Sequence, residues 1–542
     1  MKRLVFITLI ITIIFFRFYN LNWGSSYYFH PDERNIANSI VQLNFSSQLN
    51  PHFFAYGSFP IYIIYFSGVL LNFLHFSRNI SNSNVNFEEA IIISRFYSAL
   101  FSLLLPVLFF YIGKKAFNKE VGIIAFLLGG LSIGFTQFAH FGTFEMWLTF
   151  FSTLLLFYSI SYLKKQSKRV LILICIIIGL LIAIKVSSLI FLPLPFFLSL
   201  LKIKSNIKNV NFINFKKITY VCLISICYLG VIFLTSFIVS PFNILDYKDF
   251  KSSISYESSV ALGNTLVFYT QEFLNTKIIL YQLFHVLPFL LNPLECAIFI
   301  PSLIYCLFKV VKNKNQELAV IVLFFALTFF SQAFLFVKWV RYMVPSLSFI
   351  YLLTAYSISD LRLIFKEKAW LYNIIIYSTY LFCAIWVFAY FYTAFIKTDT
   401  RIEAMNFAKL NINEDASIYT ESYDLGILPF NSPFRKIKLY DFYDLNNSYS
   451  NIIENISSAD YLILPSQRIL EPRILDPKEF NASGTFYSKL YNNKLNFKLI
   501  YETPCDFFCN LTYLFNPITS YEETASVFER PTIFIYQNQR SL

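Results

Sequence analysis

An acidic pair, Asp32–Glu33, follows the first apolar run of the chain and comes directly after His30 and Pro31. A carboxylate at a membrane boundary is costly to place, and its pKa is readily shifted by its surroundings. Such a group could accept the proton of an acceptor hydroxyl or bind a cation. Acidic residues are also favoured in the first turn of a helix, so the pair could simply begin one after the proline. Both interpretations stay open for these residues alone.

A second candidate segment, His140-Phe-Gly-Thr-Phe-Glu145, precedes a later apolar run. It would bring an imidazole and another carboxylate to the same membrane face as the acidic pair. A histidine at a membrane interface can also be an amphipathic anchor, and Glu145 can be the acid that begins a helix. These alternatives stay open as well.

Four basic residues lie at the ends of apolar runs: Arg95, Lys185, Lys338 and Arg341. An arginine can hold a phosphate through two parallel hydrogen bonds, and a lysine can hold it as a point charge. The alternative is that these side chains extend toward lipid headgroups. Acids and cations at one membrane face together favour a reaction on a lipid-linked anionic substrate.

The composition shows which elements must position these residues. Of the 542 residues 56% are hydrophobic and 14% are charged, against about 25% charged in an ordinary soluble domain. Such a chain cannot cover its apolar surface with charge, which excludes a soluble enzyme, a disordered protein and a disulfide-rich secreted scaffold. The net charge of +12 could suggest nucleic-acid binding, but the basic residues are spread over short loops between apolar runs.

The apolar runs predict about eleven membrane-spanning helices. The first run follows Lys2 and Arg3 and lacks a small-residue cleavage site, so we expect a retained anchor and not a removed signal peptide. The predicted spans lie near residues 4–20, 91–113, 121–138, 145–163, 170–187, 189–201, 218–240, 293–311, 318–336, 343–359 and 370–395.

Lysine and arginine cluster in alternate connections between these spans, which predicts that those connections are cytoplasmic. The N-terminus is then inside and, with an odd number of spans, the C-terminus is outside. We expect a plasma (inner) membrane protein with its active site on the extracytoplasmic side. The basic connections lie at residues 114–119, 164–169, 202–217, 309–314 and 362–368.

Three segments are predicted on the outer face. They are a first loop at about 21–90, whose apolar stretch 59–76 we expect at the membrane interface, a second at about 241–292, and the tail 396–542. The tail becomes polar and turn-rich, with strand-like runs at 416–420, 461–464 and 532–536 and helical patterns at 401–409 and 487–495. The predicted fold is therefore a polytopic α-helical membrane domain, 1–395, followed by a small extracytoplasmic α/β domain, 396–542. Cys505 and Cys509 could close a disulfide loop in an oxidising compartment.

Several stretches, in this order along the chain, resemble membrane glycosyltransferases of the GT-C superfamily. The branch they resemble is that of protein O-mannosyltransferases, aminoarabinose transferases and glycosyltransferase family 39-like bacterial relatives. The stretches are H-P-D-E from His30, R-F-Y-S-A-L from Arg95, H-F-G-T-F-E-M-W from His140, G-L-L-I-A-I-K from Gly179, S-P-F-N-I-L-D from Ser240, K-W-V-R-Y-M-V-P from Lys338, D-T-R-I-E-A-M-N-F from Asp399, A-D-Y-L-I-L-P-S from Ala459 and E-R-P-T-I-F-I-Y from Glu529.

The resemblance implies a GT-C fold and transfer of a hexose or pentose from a polyprenyl-phosphate carrier, with inversion at the anomeric carbon. Asp32 matches the family's base most directly and Glu33 is its neighbour, so both are catalytic candidates. The relatives more often carry aspartate where Glu145 stands. Cations would stabilise the phosphate leaving group. The candidates for substrate binding are His30, Arg95, His140, Glu145, Lys185, Lys338, Arg341 and Tyr342.

The resemblance also implies the partners: a polyprenyl-phosphate sugar donor, a lipid, glycan or protein acceptor, membrane lipids, and no nucleic acid. It implies no cofactor, and a divalent metal stays open because some GT-C enzymes bind one through such acids. The alternatives are a transporter or flippase of lipid-linked sugars, a surface-polysaccharide polymerase or ligase, and a catalytically inactive scaffold. A transporter would carry ionisable residues near mid-span and an internal repeat, neither of which is clear in the sequence.

Overall fold

The structure is a computed structural model that describes residues 2–76, 84–205, 215–422, 428–431, 433–440, 448–512 and 524–541. Helices dominate its first half. In chain order they are α1 (Lys2–Phe18), α2 (Pro31–Val41), α3 (Ser58–Phe76), α4 (Phe87–Ala116), α5 (Lys119–Gly130), α6 (Ile133–Ala139), α7 (Glu145–Lys165), α8 (Lys168–Ile184), α9 (Leu194–Ser205) and α10 (Phe215–Val239).

Short 3₁₀ turns interrupt the helices, and those at Val186–Phe191, Phe268–Phe273 and Val340–Tyr342 matter for the site described below. The second half of the chain adds further helices. The regular helices are α11 (Phe242–Leu245), α12 (Tyr247–Ala261), α13 (Leu287–Leu291), α14 (Pro293–Asn313), α15 (Gln316–Ala333), α16 (Val344–Ile364), α17 (Ala369–Phe391), α18 (Thr400–Asn411), α19 (Tyr449–Ile456), α20 (Leu470–Leu475), α21 (Asn481–Tyr491) and α22 (Phe507–Thr512).

Among the described residues, six helical segments are long and apolar enough to cross a membrane, and a seventh results if α5 and α6 form one bent span. The two helices meet at 53°. The chain is therefore a multi-pass membrane protein, as its composition predicts, while the number of eleven spans and their orientation stay predictions. The six segments are Phe87–Ala116, Glu145–Lys165, Pro293–Asn313, Gln316–Ala333, Val344–Ile364 and Lys366–Ile396.

Most of the other predicted spans correspond to shorter apolar helices. The apolar stretches Ile7–Phe18 and Val186–Leu200 are shorter than 18 residues each, and a helix rises only about 1.5 Å per residue, whereas helix α10 (Phe215–Val239) is 25 residues long. The stretch 59–76, which was predicted to lie at the membrane interface, forms the continuous helix α3 and packs on α2, α4 and α8. Its Leu70 and Leu74 are more than half exposed, as expected for a helix with one lipid-facing side.

The C-terminal α/β region contains one five-stranded sheet. Its strands are β1 (Ser417–Glu421), β2 (Lys436–Tyr440), β3 (Tyr461–Leu464), β4 (Phe497–Glu502) and β5 (Phe534–Asn538), in the order β2-β1-β3-β5-β4. Strands β1, β2 and β3 are parallel, and β5 is antiparallel to both β3 and β4. The predicted small C-terminal sheet is thus confirmed, whereas the domain boundary at residue 396 stays a prediction.

Sequence reasoning found the inner strands and missed both edge strands. The predicted strand at 461–464 is β3, and those at 416–420 and 532–536 become β1 and β5 with small shifts. Strands β2 and β4 carry lysines, Lys436 and Lys438 in one and Lys498 in the other. Lysine is a common device for protecting a sheet edge, and it obscures the apolar pattern by which a strand is detected.

Buried contacts tie the C-terminal region to the membrane helices. Arg401 of α18 donates to the backbone oxygen of Phe528 at 2.9 Å and lies 3.7 Å over the ring of Phe29. The side chain of Glu529 accepts hydrogen bonds from Gln137 of α6 and from Tyr390 of α17. Segment 528–529 therefore packs on α6 and α17, and the ring of Phe528 lies 4.6 Å from that of His30 in the loop that precedes α2. A disulfide joins Cys505 to Cys509, which confirms the pairing that the sequence allowed.

Candidate active site

A cavity of about 720 Å³ lies where the segments between the membrane helices meet the C-terminal region. Its walls come from the start of α2, the loop before α3, the turn Val186–Phe191, helix α12, the loop before α16 and the C-terminal region. Elements far apart in the chain thus converge on one space, and its five charged lining residues come from five different segments.

Asp32 and Arg341 form an ion pair at the wall of this cavity. Helix α2 begins at Pro31 with Asp32 in its first turn, so the helix-start interpretation of the acidic pair is confirmed, and Asp32 nevertheless lines the cavity. Its side chain is 25% exposed and that of Arg341 is 23% exposed. Burial alone would raise the pKa of Asp32, but Arg341, with smaller contributions from His30 and Lys185, lowers that pKa below its ordinary value. Asp32 is therefore ionised at neutral pH.

Lys185, which ends α8, lies beside the same pair. Its ammonium group is 4.6 Å from the ring centre of Tyr342 and 5.4 Å from that of Tyr56. The loop before α3 approaches the end of α8 closely at Gly57, because a β-carbon at this position would overlap the backbone carbonyl of Ala183. Gly57 also donates a backbone hydrogen bond to Ile184 at 2.9 Å. Glycine is needed at this position, and it brings Tyr56 within reach of Lys185.

Glu145 begins α7 and lines a smaller chamber that shares Lys185, Arg341 and Tyr342 with the main cavity. Its side chain is 3% exposed. One carboxylate oxygen lies 3.5 Å from the hydroxyl of Tyr56, at the outer limit of a hydrogen bond. The predicted substrate-binding residues Glu145, Lys185, Arg341 and Tyr342 are thus brought together with Asp32 around one connected space.

Glu33, although adjacent to Asp32, lies outside the cavity. Both its oxygens accept from Arg95, at 2.8 and 2.6 Å, and Oε1 also accepts from the backbone N–H of Gly142. Arg95 itself donates to the backbone oxygens of Leu21 and Trp23, both at 2.8 Å. Glu33 and Arg95 are about 1% and 0% exposed. These hydrogen bonds join α2, α4 and the loop before α7. Neither Glu33 nor Arg95 is reachable from the cavity.

The two predicted histidines are also packed away from the cavity. His140 is fully buried, stacks on Phe395 with a ring separation of 3.8 Å, and places its ring nitrogens 2.8 and 2.9 Å from the backbone oxygens of Thr136 and Tyr19. Burial lowers the pKa of His140 to about 4, so the ring is neutral. His30 lies 4.6 Å from the ring of Phe528, and burial lowers its pKa too. Both are placed to hold the loops around α2 together.

Lys338 is likewise separated from the cavity. Its side chain is 2% exposed, and the ammonium group donates to the backbone oxygen of Phe336 at 2.7 Å. It lies 5.8 Å from the ring centre of Phe273. Burial lowers the pKa of Lys338 to about 8. The side chain that the sequence placed beside Arg341 therefore points into an aromatic cluster behind the cavity wall.

The cavity includes charged residues that sequence reasoning missed. Glu257 of α12 lines it, and burial raises the pKa of this carboxyl group above its ordinary value. Arg468 enters from the C-terminal region, with its guanidinium 5.6 and 5.5 Å from the rings of Phe268 and Phe528. A signal for Arg468 existed, because it follows the A-D-Y-L-I-L-P-S stretch by two residues. We find no comparable sequence signal for Glu257 or Tyr56.

The set of groups defines what the cavity can do. Asp32 offers an ionised carboxylate, and Lys185, Arg341 and Arg468 offer positive charge within one space. Fixed cations stabilise a phosphate group that gains charge as it leaves. A carboxylate beside them can accept a proton from a hydroxyl group. The arrangement suits a displacement reaction in which an anionic group departs.

A separate trio of metal-ligand side chains lies outside this cavity. In the described part of the chain, one ligand atom each of His52, Asp246 and Asp249 fall within 4.8 Å of one another. Asp246 also accepts a hydrogen bond from Asn50 at 2.8 Å. His52 and Asp249 are exposed. The trio is the one group among the described residues whose spacing fits a metal ion, and it does not include Asp32 or Glu145.

Comparison with known families gives one match. Residues 86–235 match the family model described as dolichyl-phosphate-mannose-protein mannosyltransferase. This segment includes Arg95, His140, Glu145 and Lys185, and with them three of the resembling stretches. The resemblance to this family is confirmed for that segment. Asp32, Arg341 and the C-terminal region lie outside it.

Two solved structures are similar to the whole chain. One is the archaeal oligosaccharyltransferase AglB from Archaeoglobus fulgidus with an inhibitory peptide and a dolichol-phosphate, at 12% identity and a TM-score of 0.49, covering 92% of this chain and 73% of that one. The other is ArnT from Cupriavidus metallidurans bound to undecaprenyl phosphate, at 11% identity and 0.49, covering 99% and 98%. At these values neither is evidence for the activity of this chain. No curated protein matches it.

Proposed function

We propose that the protein is a membrane glycosyltransferase that moves a sugar from a polyprenyl-phosphate carrier to a hydroxyl group of an acceptor. The observation that carries the proposal is the Asp32–Arg341 pair, set with Lys185 in a 720 Å³ cavity. The family match over residues 86–235 supports the reaction class. The acceptor is a lipid, a glycan or a protein, and the reaction takes place on the extracytoplasmic face of the plasma (inner) membrane.

Asp32 acts as the general base in this proposal. Its carboxylate removes the proton of the acceptor hydroxyl as that oxygen forms a bond to the anomeric carbon. The bond between the anomeric carbon and the phosphate oxygen breaks, and the electron pair stays on polyprenyl phosphate. Attack opposite to the leaving group inverts the anomeric centre. Polyprenyl phosphate leaves as an anion, so the reaction needs positive charge at the phosphate and not a general acid.

Arg341 couples donor binding to the strength of this base. In the free protein its guanidinium is paired with Asp32, which keeps the pKa of Asp32 low and makes it a weak base. A donor phosphate bound by Arg341 and Lys185 shares the positive charge that Asp32 otherwise receives alone. The pKa of Asp32 then rises toward its ordinary value. Asp32 is thus a stronger base when the sugar donor is bound. Without the donor it is a weak base, and proton abstraction from the acceptor is disfavoured.

Glu33 and Arg95 are proposed as positioning residues. Their bidentate ion pair fixes the first turn of α2 against α4 and against the backbone of Gly142. That turn carries Asp32. The pair therefore sets the direction of the Asp32 carboxylate without touching a substrate. His30 and His140 support the same loops through their ring contacts.

We further propose that the reaction needs no metal ion. The partner of Asp32 is a guanidinium, and the carboxylates that line the cavity do not form a ligand group in the described residues. Addition of a chelator should leave turnover unchanged. Loss of turnover on chelation, restored by a divalent ion, would contradict this part of the proposal and direct attention to His52, Asp246 and Asp249.

The experiment uses purified full-length protein in lipid nanodiscs with a panel of polyprenyl-phosphate sugars and crude membrane acceptors. Mass spectrometry follows the release of free polyprenyl phosphate. The wild type should release it from at least one donor. Asp32→Asn should lower the rate by about 10²–10⁴-fold, which is the usual contribution of a general base. Arg341→Ala should abolish release through loss of phosphate binding.

The matched control is Asp415→Asn, which changes the same side chain at a site that is 59% exposed and remote in sequence from the cavity. It should release polyprenyl phosphate at the wild-type rate. Absence of release from every donor by the wild type would overturn the proposal. Equal rates for wild type and Asp32→Asn would keep the reaction but remove Asp32 as its base.

A further inference from the structure

The small chamber beside Arg341 contains buried polar atoms that lack hydrogen-bond partners. Glu145 Oε2, Ser188 Oγ and Arg341 Nε have none among the described residues, and all three residues line the chamber. Glu145 and Ser188 are 3% and 2% exposed. Buried polar groups in proteins are almost always hydrogen-bonded, so these three atoms mark a place where a polar group binds.

The size of the chamber limits what that group is. Its volume is about 30 Å³, whereas one water-sized group needs about 10–15 Å³. Two such groups therefore fit, and a sugar ring does not. The chamber opens to the main cavity, with which it shares Lys185, Ser187 and Tyr342. A ring in the main cavity could project a short substituent into it.

The charges of the chamber favour a neutral substituent. Glu145 contributes one negative charge and Lys185 one positive charge, while Arg341 is already paired with Asp32. An ammonium substituent would face two cations, and a carboxylate would face Glu145. A hydroxyl group avoids both repulsions, since it donates to the Glu145 carboxylate and accepts from Arg341 Nε or Ser188.

We propose that this chamber receives the hydroxymethyl group of the donor sugar and so selects hexose carriers over pentose carriers. The hydroxymethyl carbon and oxygen are the two groups that the volume admits. Glu145 Oε2 and Ser188 Oγ bond to the hydroxyl, and the sugar ring stays in the main cavity near Asp32. This inference rests on the proposed function and adds to it the class of sugar that the site accepts.

The test is direct donor binding to full-length protein in nanodiscs, measured by native mass spectrometry. The probes are undecaprenyl-phosphate mannose and lyxose, which differ by the hydroxymethyl group, and the corresponding glucose and xylose pair. In at least one pair the wild type should bind the hexose carrier about tenfold more tightly, which corresponds to one or two buried hydrogen bonds. Ser188→Val fills the chamber, and it should bring the ratio of hexose to pentose affinity close to one.

Two further variants separate this effect from misfolding. Ser188→Ala removes the hydroxyl group without adding bulk and should lower the ratio by a smaller factor. Ser159→Ala is the matched control, because Ser159 is a fully buried serine on α7 whose hydroxyl already donates to Leu155 at 2.8 Å. It should keep the wild-type ratio.

The outcomes distinguish the two proposals. Equal binding of hexose and pentose carriers by the wild type in both pairs, or an unchanged ratio in Ser188→Val, would overturn the chamber's role and leave the glycosyltransferase proposal in place. Either of these results would mean that the chamber holds water only. Absence of binding to all four carriers would overturn the hexose assignment, while release of polyprenyl phosphate from any other donor of the panel would keep the proposed function.

Discussion

Two carboxylate–arginine pairs lie side by side in this molecule and differ in almost every property. Asp32–Arg341 lies at a cavity wall with both side chains about one-quarter exposed, and Glu33–Arg95 is fully enclosed. Arg341 retains a buried nitrogen without a partner among the described residues, whereas Arg95 bonds to two carboxylate oxygens and two backbone oxygens. The first pair has capacity left to bind a ligand. In the second pair, the hydrogen bonds of Arg95 already go to Glu33 and to the backbone of the loop before α2.

The difference follows from helix geometry. Asp32 and Glu33 are consecutive residues in the first turn of α2, and consecutive helical residues do not share a face. When one of the two carboxylates faces a cavity, the other must face a neighbouring helix. The two acids are therefore not equivalent, because Asp32 is open to a ligand in the cavity and Glu33 is enclosed in contacts between helices.

The enclosed pair gives the largest expected effect on folding. Glu33→Gln leaves Arg95 as an unpaired buried cation, which typically costs about 3–5 kcal/mol in the free energy of unfolding. In nanodiscs we expect Glu33→Gln to lower the melting temperature strongly. We expect Asp32→Asn to leave the melting temperature almost unchanged. Glu414→Gln is the control, since its partner Arg435 lies 3.6 Å away and both side chains are about 70% exposed. Equal melting temperatures for Glu33→Gln and Glu414→Gln would erase the distinction between the pairs.

The second prediction concerns the open pair. Arg341→Lys keeps the charge near Asp32 but loses the planar fork that binds phosphate through two hydrogen bonds. The donor concentration at half-maximal rate should rise about tenfold, because hydrogen bonds to charged groups contribute about 1.5–3 kcal/mol each. Arg362→Lys, on an arginine paired with Glu120 and 66% exposed, should leave that concentration unchanged. If Arg341→Lys reached its half-maximal rate at the same donor concentration as the wild type, Arg341 would not bind the donor phosphate.

The third prediction is a pH dependence. Arg341 holds the pKa of Asp32 below its ordinary value of 3.8, so the base is deprotonated above that value and is lost only below it. For the free enzyme, kcat/KM should therefore stay level as the pH falls from 7 to about 5. In the donor complex, where the phosphate shares Arg341, kcat should begin to fall at a higher pH. An acid limb at the same pH in both profiles would contradict the coupling through Arg341.

The smallest expected effect distinguishes Lys338 from Lys185. Burial lowers the pKa of Lys338 to about 8 in the folded state, from an ordinary value of 10.5. Between these values the unfolded chain binds more protons than the folded protein, so stability should rise as the pH rises through this window. Lys338→Met should flatten that rise and leave donor turnover unchanged. Lys185→Met should reduce donor binding, and a turnover loss in Lys338→Met would reverse the assignment of the two residues.

Much of the helical architecture was predictable from the sequence, because apolar runs of sufficient length have few alternatives to a membrane helix. The sheet was predictable where a strand is buried on both sides, as in β3, and not at the edges β2 and β4. Shorter apolar helices such as Ile7–Phe18 and Val186–Leu200 were predicted as spans from their apolar composition, whereas in the structure each is shorter than the about 20 residues that cross a bilayer.

The candidate site was predictable by type but not by pairing. Arg341 and Asp32 lie 309 residues apart, and the sequence contains no signal that joins them. The separation of Asp32 from Glu33, and of Arg341 from Lys338, depends on which face of a short turn each side chain occupies. Such a choice is decided by tertiary packing. Tyr56 and Glu257 enter the cavity through loop and helix positions that no motif marked.

The lining of the cavity by Arg468 and Phe528 has a consequence for biosynthesis. Every helix from α1 to α17 precedes these two residues in the chain, so the membrane part is inserted before the last wall of the cavity has been translated. A ribosome-bound or prematurely terminated chain would contain Asp32 and Arg341 but lack Arg468 and Phe528, which complete the cavity wall. The complete cavity is therefore a late product of the synthesis of each chain, and a chain truncated before Arg468 is expected to bind a cavity ligand poorly.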